Sequence, residues 1–176
     1  MTKMSAGDTF PSITVAKLGG GELTLGKAEG ECDWSLIVVY RGKHCPICTN
    51  YLKTLNGLTK ELKALKVSVA VVSADSKEQA EMQMESVSPE YPVGYGLSIE
   101  QMQALGLYIS EPRSEKETDH IFAEPGLFVV NEKGNAHLVD ISNAPFLRPD
   151  LSMIVGGITF IRNPENNYPI RGTYVG

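Results

Sequence analysis

The sequence predicts an α/β protein: a central mixed β-sheet flanked by helices. Three observations carry that prediction. Leu36 to Tyr40 and Val67 to Val72 are continuous apolar runs, which suits strands buried on both faces. Between them Leu52, Leu55, Leu58, Leu62 and Leu65 recur at spacings of three and four, the stripe of one amphipathic helix crossing between parallel strands. Later, Gly126 to Val130 and Asn135 to Val139 flank Glu132-Lys133-Gly134 and read as an antiparallel hairpin.

The remaining elements follow in chain order. Ile13 to Leu18 and Glu22 to Leu25 surround Gly19-Gly20-Gly21, a hairpin pattern. Gly57 falls inside the leucine stripe, where it costs about 1 kcal/mol relative to alanine. Asp75 or Ser76 is placed to cap a helix over Lys77 to Ser86. Tyr91 to Val93 reads as a short strand. Ser98 with Gln101 forms a capping box for a helix through Leu105, with Gly106 as its stop. Ser110 to Asp119 is polar and reads as loop, and Pro149, Asp150 and Leu151 open a last helix toward Arg162. A strand pair, then β-α-β-α, then a hairpin and a helix is a thioredoxin-like fold with an N-terminal β-hairpin extension. No repeat or linker interrupts the 176 residues, so one domain is expected over 1–176, with a core over about 7–162 and a tail over 163–176.

A net charge of −5 argues against nucleic acid or anionic membranes as partners. No apolar run approaches the roughly 18 residues of a membrane span. The opening residues Met1 to Asp8 contain no apolar signal segment, which predicts a cytoplasmic protein. In that compartment thiols are kept reduced, and three cysteines are too few for a structural disulfide framework.

Cys45-Pro46-Ile47-Cys48 stands where the first buried strand gives way to the leucine-striped helix. Two sulfurs one helical turn apart can close and reopen a disulfide. The helix start favours a thiolate, through its unpaired N–H groups and dipole, and a thiolate attacks disulfides and peroxides. A closed zinc site competes for such a pair, but it needs about four ligands, and Cys32 with three histidines offers no second pair. No organic or metal cofactor is implied. Arg41, Lys43 and His44 precede the cysteines and are candidates for a positive field that lowers a cysteine pKa. Tyr40 ends the strand and is a candidate pocket wall. Cys32 reads as a small buried residue, Trp34 and His137 as structural, and His120 as surface or near the site.

Val38-Val39-Tyr40-Arg41-Gly42-Lys43-His44-Cys45-Pro46-Ile47-Cys48 resembles the active-site segment of the alkyl hydroperoxide reductase/thiol-specific antioxidant family, in its peroxiredoxin-like branch. Gly7-Asp8-Thr9-Phe10-Pro11, Gly126 to Gly134 and Phe146-Leu147-Arg148-Pro149-Asp150 resemble its opening, its late hairpin and the entry to its last helix. The resemblance implies that Cys48 attacks peroxide and Cys45 resolves it, because Cys-Pro-Ile-Cys-Thr overlays the family's Thr-Pro-x-Cys-Thr. It also implies that Arg148 lies near the reactive helix. Three positions depart from the pattern. Cys45 replaces the threonine, Arg41 to His44 lack a proline, and Pro125 stands where the family carries an arginine. In thioredoxin-like oxidoreductases a cis-proline faces the disulfide there, so Glu124–Pro125 is expected to be cis.

Three functions follow as alternatives. The first is a thiol peroxidase whose substrate is a hydroperoxide and whose disulfide is reduced by a thioredoxin-like protein or a small thiol. The second is a thioredoxin-like reductase of protein disulfides acting through Cys45, and the third a non-enzymatic redox sensor. The resemblance adds a homodimer as an expected assembly.

Overall fold

The computed structural model describes residues 2–176. Strands β1 (Ile13–Lys17), β2 (Glu22–Leu25), β3 (Trp34–Val39), β4 (Val67–Val72), β5 (Val93–Tyr95), β8 (Gly126–Val130) and β9 (Ala136–Ile141) form one sheet in the order β2-β1-β5-β4-β3-β8-β9. β3, β4 and β5 run parallel, while β8 and β9 add antiparallel on one side and the β1–β2 hairpin on the other. A separate pair, β6 (Ile109–Ser110) and β7 (Phe122–Ala123), closes the excursion between β5 and β8.

β3 explains why its sequence shows no alternation. Leu36, Val38 and Tyr40 pack with the leucines of helices α1 (Pro46–Asn56) and α2 (Thr59–Ala64) and with Leu151, Val155 and Ile158 of α5 (Leu151–Arg162). Ile37 and Val39 point the other way, against Met102 of α4 (Ile99–Ala104), Phe128 and the hairpin leucines. Both faces of the strand are therefore core. Its carboxyl end delivers Tyr40 and the following loop to the start of α1.

The capping residues Ser76 and Ser98 are in place, with Ser76 rather than the alternative Asp75 at the first. Ser76 with Gln79 opens α3 (Lys77–Val87), Ser98 with Gln101 opens α4, and Asp150 accepts the Met153 N–H at the head of α5. The structure corrects three boundaries. The leucine stripe is two helices, because Gly57 ends α1 and Leu58 starts α2. The Asn56 side chain anchors that break by bonding the Ser88 carbonyl and the Glu90 N–H beyond α3. β5 begins at Val93, two residues later than Tyr91, because Pro92 has no N–H for the ladder and the Tyr91 hydroxyl turns inward to donate to the Leu52 carbonyl. Ser110, expected in a loop, pairs with Phe122.

Candidate active site

Cys45 is the N-cap of α1, Pro46 follows at the first helical position, and Cys48 lies in the first turn. The structure holds the two sulfurs as a disulfide across a Cα–Cα distance of 5.2 Å, with α1 intact. Cys45 Sγ also accepts the Cys48 N–H at 3.2 Å, so one orphan donor of the helix start points at sulfur. Cys48 is 0 % exposed and Cys45 2 %, and Cys45 is the one that lines the adjoining cleft. That cleft, about 740 Å³, lies between the Arg41–Ile47 segment and the loop carrying Arg113 to Asp119.

The segment before the cysteines is fixed by buried polar groups. Gly42 adopts φ +141°, and a Cβ there would lie 2.5 Å from the Asp75 carboxylate. Asp75 accepts the Lys43 N–H at 2.8 Å and meets His120 Nε2 at 3.3 Å, and burial pushes its carboxyl pKa up. Gln83 donates to the Gly42 carbonyl and to Thr49 Oγ1, both at 3.1 Å, tying α3 to this segment and to α1. Ser76, not Asp75, caps α3, which leaves Asp75 free for this task.

Arg148 Nη2 reaches Cys48 Sγ at 2.6 Å and Cys45 Sγ at 3.9 Å, across 100 residues of sequence. Burial, with a smaller push from Arg41, lowers the guanidinium pKa to about 10, so it stays charged at neutral pH. Arg41 points elsewhere. Its Nε lies 3.0 Å from Glu124, its Nη2 3.8 Å from Glu117, and its guanidinium covers the Phe122 ring at 4.8 Å. Lys43 is exposed at the cleft, and Arg113, also exposed, pairs with Glu117.

His44 corrects an expectation. It packs edge-on against Phe122 at 4.5 Å, and burial, followed by the Arg41 charge, pushes its pKa down to about 4. It is neutral at pH 7 and adds nothing to a positive field. Pro125 gives a second correction, since no peptide bond among the described residues is cis. The Glu124 N–H donates to the Tyr108 carbonyl and the Pro125 carbonyl accepts the Ser142 N–H, so the chain runs extended through Pro125 into β8. Tyr40 is fully buried in the same apolar cluster as the two cysteines, and burial raises its pKa so that the hydroxyl keeps its proton. Cys32 is half-buried, and Trp34 stacks with His137. Among the described residues no group of three or more His, Cys, Asp or Glu side chains is placed to hold a metal ion. No helix among them is long and apolar enough to cross a membrane.

A model of the AhpC/TSA family matches residues 6–138, which include both cysteines and every sheet strand up to the middle of β9. The chain belongs to the AhpC/TSA family. With a cysteine pair at bonding distance, it is a thiol-dependent peroxidase of that family. Arg148 lies beyond the matched stretch and folds back onto it. No curated protein matches the chain by sequence. Solved structures share its fold. A mutant of peroxiredoxin 6 from Arenicola marina is 19% identical with a TM-score of 0.73, covering 92% of this chain and 75% of that one. A peroxiredoxin-like protein from Aquifex aeolicus is 19% identical with a TM-score of 0.74, over 90% and 88% of the two chains. Peroxidoxin BcpB from Mycobacterium tuberculosis is 16% identical with a TM-score of 0.74, over 91% and 99%.

Sequence reasoning missed Tyr51, Gln83, Glu124 and the Asp75–His120 contact. Only Tyr51 left a signal, three residues after Cys48 and so on the same face of α1.

The neutral His44 has a measurable consequence. Below pH 6.5 an unfolded chain protonates this histidine, while the folded chain refuses the proton until about pH 4. Folding stability tied to His44 is therefore present above pH 6.5 and lost as pH falls from there to about 4. His44→Leu should narrow the drop in Tm between pH 7.5 and pH 4.5 relative to the parent. Equal drops in both proteins would contradict a buried neutral imidazole.

Proposed function

We propose that the chain reduces hydroperoxides with Cys48 as the attacking sulfur and Cys45 as its resolving partner. The observation that carries the assignment is Arg148, whose guanidinium lies 2.6 Å from Cys48 Sγ. A cation at that distance favours thiolate over thiol. The Cys48 thiolate attacks the terminal peroxide oxygen, the O–O bond breaks, and the alkoxide leaves and takes up a proton as the alcohol. Cys48 is then a sulfenic acid. Cys45 attacks it, releasing water and forming the disulfide. With the Cα atoms 5.2 Å apart, α1 need not unwind for this step. An external dithiol, a thioredoxin-like protein or a small thiol, returns both cysteines to the reduced state and leaves oxidised.

Arg41 and His44 then act on the segment before the cysteines rather than on the sulfurs. Arg41 is held by Glu124 and Glu117, His44 by Phe122. Tyr40, in one apolar cluster with both cysteines, is read as a wall of the site, and Pro125, buried just before β8, as a second. The working protein is read as one redoxin domain over 1–176, able to pair as a homodimer, in a reducing compartment such as the cytoplasm. Stopped-flow mixing of the reduced protein with hydrogen peroxide or an alkyl hydroperoxide tests the reading. A rate no greater than that of free cysteine would remove it.

A second reading rests on one observation, that Cys45 rather than Cys48 lines the cleft. A protein disulfide entering there would meet Cys45 first, as in a thioredoxin-like reductase. Reduction of insulin disulfides at a rate exceeding peroxide turnover would favour it.

A further inference from the structure

Arg148 sits at the end of the irregular segment between β9 and α5, where no strand or helix fixes it. Among the described residues no carboxylate lies within ion-pair reach of it, and its Nε and Nη1 are buried without hydrogen-bond partners. A long side chain with that much rotamer freedom needs something to aim it. One residue touches this segment at two consecutive positions. The Tyr51 ring lies under the Arg148 guanidinium at 5.1 Å, and the Tyr51 hydroxyl donates to the Pro149 carbonyl at 2.8 Å. Tyr51 stands on α1 three residues after Cys48, so the ring and the sulfur share one helix face. The guanidinium bridges them.

We propose that Tyr51 is a positioning residue: its ring face and hydroxyl hold the Arg148–Pro149 segment so that the guanidinium bears on Cys48 Sγ. This rests on Cys48 being the peroxide-attacking sulfur. The ring face attracts the cation most where water is excluded, as at this half-buried site. The hydroxyl fixes the backbone beside it, and so limits how far the arginine can swing. The Tyr51 hydroxyl bonds the Pro149 carbonyl rather than a sulfur, so its effect on Cys48 runs through Arg148.

The test reads the Cys48 thiol pKa by pH-dependent alkylation in a Cys45→Ser background, alongside the rate of peroxide oxidation. Tyr51→Leu is expected to raise the Cys48 pKa by about one unit and to slow oxidation about tenfold. When Arg148 is already leucine, Tyr51→Leu should change neither quantity, because its effect has lost its intermediary. Tyr51→Phe keeps the ring and its packing, and so carries the test if the leucine variant does not fold. It should give a smaller rise of the same sign. No rise in either variant, or the same rise with and without Arg148, would overturn the proposal. The two claims separate cleanly. A parent protein that fails to consume peroxide removes the proposed function, while the coupling between Tyr51 and the Cys48 pKa stands or falls by itself.

Discussion

Cys48→Ser is expected to abolish hydroperoxide consumption, lowering the rate constant by about three orders of magnitude or more. A serine hydroxyl is not ionised at neutral pH, and no arginine at 2.6 Å can make it so. Cys45→Ser separates the two sulfurs. It should leave the first peroxide step close to parental speed, because the Arg148 contact to Cys48 is retained. Without a resolving thiol the sulfenic acid persists, turnover with dithiol slows, and excess peroxide drives Cys48 on to sulfinic acid. The measurement is stopped-flow kinetics of each variant, followed by intact-mass analysis. If Cys45→Ser abolishes the first step and Cys48→Ser spares it, the roles of the two cysteines are reversed.

Arg148→Leu is the second large effect. Hydrogen bonds to charged partners are worth about 1.5–3 kcal/mol, so losing this one should raise the Cys48 pKa by roughly one to two units and slow peroxide attack about ten- to a hundredfold. Arg148→Lys should recover part of the loss, since it restores charge but not the planar guanidinium whose Nη2 reaches both sulfurs. Stability should move the other way or not at all. Burial already disfavours the guanidinium, as its lowered pKa of about 10 shows, and leucine removes that cost. A Tm that falls together with the rate would instead make Arg148 a structural residue. Alkylation kinetics against pH, with thermal melts on the same samples, decide between them.

How much of this was legible beforehand depends on the range of the interaction concerned. β4 and the Ser98 capping box are written in neighbouring residues, and the structure places them where the pattern does, while β3 is found but starts at Trp34 and ends at Val39 rather than running from Leu36 to Tyr40. The cysteine pair is equally local. The break between α1 and α2 is less so, because the leucine spacing runs straight through Gly57, while the Asn56 contacts that anchor the break reach residues beyond α3. His44 reads as a cation from its neighbours Arg41 and Lys43, yet burial, followed by the Arg41 charge, keeps it neutral, in packing that includes Phe122, remote in sequence. Arg148 shows the same limit. Its approach to Cys48 spans 100 residues and became visible only through family resemblance, while its support by Tyr51 required the folded chain.

The central claim is that peroxide, acting at Cys48, links Cys48 to Cys45 within one molecule. The most direct test treats the fully reduced protein with one equivalent of hydroperoxide, alkylates it, and maps its peptides without reductant. The account predicts the loss of two hydrogens from the intact mass and a single cross-linked species joining the Cys45 and Cys48 positions. Two alkylated cysteines after the peroxide is consumed, or a cross-link through Cys32, would contradict it.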